Sequence, residues 1–189
     1  MPELLDITRV RVLVECEALT ESIRNGDSEW RANVLRSYHR LDRLSLEGSA
    51  NAMAWMEAHG DFHASLVAGC ASPMLCDLCR RLFDSALRYR RISMTQRTYG
   101  RDKSQQHREL MEAALTADPE AARRLIHDHV WETTRNVIAV ITGAPHQPHL
   151  PASAPVPRTA ATTVVAKPVR TSRLRTKTRK PGRSASDAY

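Results

Sequence analysis

Apolar residues along the first 142 positions recur with the period of helices, and the alternating β-branched runs that strands need are absent. Val10, Leu13, Val14 and Leu19 fall near helical spacing and predict a first helix over about 4–24, with Gly26 as its stop. A second helix is expected over about 28–47. Asp27 or Ser28 can cap it, Val34, Leu35, Tyr38, Leu41 and Leu44 mark its inner face, and Gly48 ends it. The third spans about 51–68 and stops at Gly69. The fourth opens with Ser72 as N-cap and Pro73 in the first turn, and runs through Leu75, Leu78, Leu82, Phe83 and Leu87 to about Met94. A polar loop, TQRTYGRD, follows. The fifth covers about 103–117, and Asp118-Pro119-Glu120 caps and starts a sixth that reaches about Ile141. The fold class is therefore all-α.

Composition divides the chain in two. Residues 1–142 carry 19 Lys/Arg against 20 Asp/Glu and form a nearly neutral helical domain. Residues 143–189 are rich in Pro, Ala, Thr, Ser, Arg and Lys, with nine Lys/Arg and one acid, Asp187, after position 157. A segment so poor in large apolar side chains cannot offset its ordering entropy by burial, so a disordered tail is expected. Its charge implies at most weak, sequence-independent attraction to phosphate. No stretch approaches the roughly 18 consecutive apolar residues of a membrane span, and MPELLDITRVRV places charges where a signal peptide needs an apolar run. A cytoplasmic protein is expected, with Cys16, Cys70, Cys76 and Cys79 as reduced, mostly core thiols.

Candidate chemistry rests on four histidines. His59 and His63, in HGDFH, are i, i+4 and share one helix face. His107 and His129 fall on the fifth and sixth helices, which a short turn would fold against each other. Neutral imidazole is a common ligand for divalent transition metals, so the pattern points to a metal site inside a helical bundle. Asp61, two residues from both His59 and His63, points away from them. His127 reads as a surface residue, and His39, His146 and His149 have no partners in the pattern.

These motifs together resemble a known family. The DFH of Asp61-Phe62-His63, His107 opening helix five, the stretch Ala114 to Arg124 (ALTADPEAARR) and His129 are similar to the FadR-like effector domain, called FCD, of GntR-type bacterial transcription regulators. The runs RLFDSALRYRRI and AGCASPML look like the carbon-starvation-induced regulator branch. The resemblance implies an antiparallel bundle of six or seven helices around a central cavity. It implies a divalent metal, zinc or nickel, on His63, His107 and His129, with His59 where the family usually has aspartate. It implies a small carboxylate effector, glutarate-like, on the open metal positions, with Arg11 as the cation that holds it; Arg88, with Arg90, on the fourth helix is a further ligand-binding candidate, and a homodimer is expected. The family's N-terminal winged helix has no counterpart ahead of the first helix here, so DNA reading is expected only through such a domain or, weakly, through the tail.

Enzyme chemistry is not expected. No ExxH motif of the di-iron bundles occurs, and no glutamate sits in an HExxH arrangement to act as a general base. The reading is a ligand sensor that controls DNA binding. The alternative is a stand-alone dimerisation or interaction module, or a truncated fragment.

Overall fold

The computed structural model of the chain describes residues 1–46, 51–94 and 101–143. Six helices account for nearly all of them: α1 Pro2–Asn25, α2 Ser28–Leu46, α3 Ala52–Val67, α4 Pro73–Met94, α5 Arg101–Leu115 and α6 Pro119–Thr142. No strand occurs among the described residues. The expected Gly48 stop, most of the TQRTYGRD loop, His146, His149 and the basic tail beyond Gly143 lie outside the described residues.

Local chemistry sets the helix ends. Asp27 Oδ1 accepts the Trp30 amide at 2.8 Å, Ser72 Oγ accepts that of Leu75 at 3.3 Å, and Asp118 Oδ1 accepts that of Ala121 at 2.9 Å. Each meets one of the amides a helix start leaves without a partner. The α5–α6 turn closes with Ala117 in the left-handed region, φ 59°, and the Asp118 amide reaching back to the Ala113 carbonyl. Arg31 of α2 caps the same end, donating to the Leu115 carbonyl at 2.6 Å.

Helix α1 is the hub. It packs along α6 and α4 and also touches α3 and α5, while α2 lies on α3 and α5. Its buried stripe runs Leu4, Thr8, Arg11, Glu15, Leu19 and Ile23. The apolar spacing suggested a different phase: Leu13 is 64% exposed, because the wall α1 shows the interior is centred on the polar pair Arg11 and Glu15. Leu35 of α2 and Leu78 of α4, expected inside, are also more than a third exposed. Each lies next to a stripe its helix does bury, at Val34 and Cys79. The buried hydroxyls of α1 are satisfied locally. Thr8, Thr20 and Ser22 each donate to the carbonyl four residues back, and Thr8 meets Thr134 of α6 at 2.7 Å.

The main core lies between α1, α2, α3, α5 and α6, with Leu19, Val34, Leu41, Phe62, Leu66, Leu110 and Val130 nearly inaccessible. Trp30 anchors one end by donating its indole N–H to the Ser65 carbonyl at 2.9 Å. The tight α1–α2 turn needs Gly26, since a Cβ there would lie 2.1 Å from the Trp30 ring. This packing holds α3 rigidly between α2 and the interior.

Candidate metal centre

Three helices deliver the four histidines. Ala58, Phe62 and Leu66 bury one side of α3 in the core, which turns His59 and His63 toward α5 and α6. Their ring centroids are 4.4 Å apart. Leu110, Met111 and Ala114 seat α5 beside α6, and Ile126 and Val130 seat α6 in turn. His107 and His129 then face each other at 4.8 Å between centroids. One nitrogen from each of the four rings lies within 4.8 Å of the others, close enough to share a single ion. All four residues are buried, none more than 7% exposed.

Burial pushes His59 and His63 well below the usual imidazole pKa. Arg90 and the neighbouring histidines push His59 further down; for His63 the further causes are His107, Arg11 and Arg90. Both rings are neutral at physiological pH, the form that ligates metal. The donor set fits a divalent cation on a second count. His63 Nε2 is buried with no hydrogen-bond partner among the described residues. A buried polar atom in that condition costs stability unless something accepts its lone pair or proton.

His129 is oriented from outside. Gln106 donates its amide N–H to Glu132 Oε2 at 2.6 Å, which leaves the Gln106 oxygen to face His129 Nδ1 at 3.2 Å. That carbonyl assigns the proton to Nδ1 and the lone pair to Nε2, the pattern by which metal-binding histidines are held in one tautomer. Trp55 and Phe83 stack on the His59 ring from centroid distances of 5.0 and 5.7 Å.

Two buried arginines flank the rings. Arg90 of α4 brings Nη1 to 3.0 and 3.2 Å from the two nitrogens of His59. Arg11 of α1 donates from Nε to Glu15 at 2.6 Å, both side chains buried, and its guanidinium lies 5.2 Å from the Phe83 ring centre.

Arg88 is placed elsewhere. It is exposed on α4 and binds Glu3 and Tyr89, two residues and so roughly 200° around the helix from Arg90. The cation that α4 turns inward is Arg90. Asp61 is exposed and paired with Arg40, and His127 pairs with Asp128. Sequence reasoning passed over Gln106 and Glu132, because a glutamine beside a histidine on a polar helix reads as surface. All four cysteines are free thiols; Cys16 and Cys79 are buried, and burial pushes both up to about 12.

A cavity of about 710 Å³ lies between α3 and α4, with His63 and Glu15 among its walls.

Comparison with known proteins agrees with the fold and the motifs. Residues 6–131 match the FCD domain. The chain is 32% identical over 134 residues to the HTH-type transcriptional regulator BphR of Paraburkholderia xenovorans (strain LB400), covering 69% of this chain and 55% of that protein. It is 36% identical over 134 residues to the HTH-type transcriptional repressor GlaR of Escherichia coli (strain K12), covering 68% and 61% respectively. The chain thus spans little more than half the length of these relatives. Among solved structures, E. coli McbR/YncC superposes with a TM-score of 0.66 at 15% identity, over 77% of this chain and 67% of that one. The metal-free FCD domain of the regulator TM0439 superposes with a TM-score of 0.60 at 16% identity, over 74% and 94%. Helical bundle, histidine motifs and matched segment converge, and the chain belongs to the FCD domain family of transcriptional regulators.

Proposed function

We propose that this domain senses a small carboxylate through one divalent metal, zinc or nickel, held by His59, His63, His107 and His129. The observation that carries the reading is the chamber itself: four buried imidazoles, two of them held neutral, with the buried Arg11 and Arg90 beside them. When bound, the metal supplies a Lewis-acid position for one carboxylate oxygen.

The chain's own residues do the rest. Gln106 and Glu132 keep the His129 lone pair aimed inward. Arg90 and the Nη edge of Arg11 offer charged donors to the effector carboxylate, where a planar fork suits two oxygens. Burial by Phe62, Trp55 and Phe83 keeps water from competing.

Site residues come from α1, α3, α4, α5 and α6, so a ligand that closes the chamber ties five helices together. It shifts the domain between states only by the difference in its affinity for them. In a regulator of the kind its relatives are named for, that shift would set how strongly a helix-turn-helix segment holds DNA, in a homodimer.

Elemental analysis of purified protein tests the metal, with about one ion per chain expected and close to none in a His63→Ala, His107→Ala double variant. A thermal-shift screen of C3–C6 mono- and dicarboxylates tests the effector. A saturating ligand at about 100 times its Kd adds roughly 2.7 kcal/mol of stability. A metal content near zero in metal-replete medium, or a carboxylate response that survives chelation, would refute the assignment.

A further inference from the structure

From the α3–α4 cavity we infer that the effector is an amphipathic carboxylate: a charged head in the metal chamber, and an apolar body of several carbons lying between α3 and α4. The inference rests on the metal–carboxylate reading above and names the class of ligand that site takes. Three observations carry it.

The cavity borders the chamber at His63. Glu15 and His63 line it, and so does Phe83, whose ring also lies against Arg11 and His59. A molecule with its carboxylate on a metal at His63 therefore has the rest of itself in this space.

The cavity is also too large for a short diacid. Its volume of about 710 Å³ lies inside the roughly 300–1,000 Å³ range of sites for drug-sized ligands, and a five-carbon diacid would leave most of it to water. A distal carboxylate would find little to hold it. The apolar part of its lining is Met56, Gly60, Ala64, Val67, Phe83 and Leu87. The charges at the mouth are largely engaged with one another, Glu57 and Asp61 with Arg40, Asp77 with Arg80 and Arg81.

The third observation is Gly60, at the middle of α3. A glycine in a helix interior costs about 1 kcal/mol relative to alanine. Neither backbone nor neighbours require it: its φ is helical, and an added Cβ would meet only the Phe83 ring, at an ordinary 3.5 Å. What the missing side chain leaves is open cavity on the wall that also carries His63.

The test uses the full chain loaded with zinc, titrated calorimetrically with acetate, butanoate, hexanoate, octanoate, phenylacetate and glutarate. Each added methylene should tighten binding about fourfold until the cavity is filled, corresponding to roughly 0.8 kcal/mol per buried CH₂. Hexanoate should then bind more tightly than glutarate. Gly60→Leu, which fills the cavity from a helix-favouring residue, should flatten this gradient. Ala64→Phe, at an exposed position of the same wall, should do the same without a burden on folding. Equal binding along the series, glutarate binding more tightly than hexanoate, or a gradient that persists in both variants would overturn the inference while leaving the metal–carboxylate site in place. A chain that holds no zinc, or whose zinc-loaded form binds none of these acids, would overturn both.

Discussion

Acidifying the metal-free protein should unfold it through His59 and His63, and the size of the effect follows from their burial. Both folded-state pKa values lie well below the unfolded value of about 6.5. Above pH 7 neither the folded nor the unfolded chain carries these protons, and the stability is fully present. As pH falls through 6.5 the unfolded chain takes up two protons that the native chamber refuses, so stability falls as pH falls. It continues to fall until the folded-state rings themselves protonate. The slope approaches about 1.4 kcal/mol per pH unit for each group only below pH 6.5, so roughly 2.8 kcal/mol is lost between pH 7.5 and 5.5 for the pair. That is a large part of the 5–15 kcal/mol typical of a domain. With an m-value near 2 kcal/mol/M, the urea midpoint should drop by roughly 1.4 M. The assay is urea denaturation with a chelator present, at half-unit steps over this range, where Asp and Glu scarcely titrate. A His59→Gln, His63→Gln variant should lose most of the slope. A flat midpoint in the parent chain, or an undiminished drop in the variant, would refute the claim that these rings are buried and neutral.

Arg11→Met alone should destabilise the fold by about 3–5 kcal/mol, because it strands the buried Glu15, whereas adding Glu15→Gln should recover most of that, as urea midpoints would show. The recovered double variant is the one in which to measure whether carboxylate affinity needs Arg11; Arg88→Ala, at an exposed site, should leave that affinity unchanged. Ala117→Gly should stabilise the chain by about 0.5–1 kcal/mol and raise Tm by roughly 2 °C, since it relieves a left-handed alanine at the α5–α6 turn; an unchanged or lower Tm in a thermal melt would count against that strain. Any DNA affinity of this chain should disappear when it is stopped at Gly143, and should be steeply salt-dependent and indifferent to sequence before that; discrimination between two unrelated duplexes would point to a reading surface in the helical body.

Helix period, caps and stops are local properties, and they were legible residue by residue. Asp27, Ser72 and Asp118 do cap where their chemistry suggested, and the six helices begin and end within about two residues of the positions expected from the sequence. The i, i+4 spacing of His59 and His63 determines that their rings lie side by side on any helix containing them.

What the sequence could not determine is the rotation of each helix about its own axis within the bundle. That depends on which neighbour it meets. Arg88 and Arg90 are equivalent as letters, and only the packing of α4 against α1 and α3 sends one to solvent and the other to His59. The apolar spacing of α1 pointed to Leu13, but a helix surrounded by partners can bury a polar stripe when the site beneath it is polar. Arg11 and Glu15 therefore take the interior and Leu13 the surface. Gln106 acquires its role only because α5 and α6 come together at His129 and Glu132, 23 and 26 residues further along. The cavity between α3 and α4 belongs to no segment of the chain. It is the space two helix faces fail to fill, and pairwise packing, not composition, decides its size.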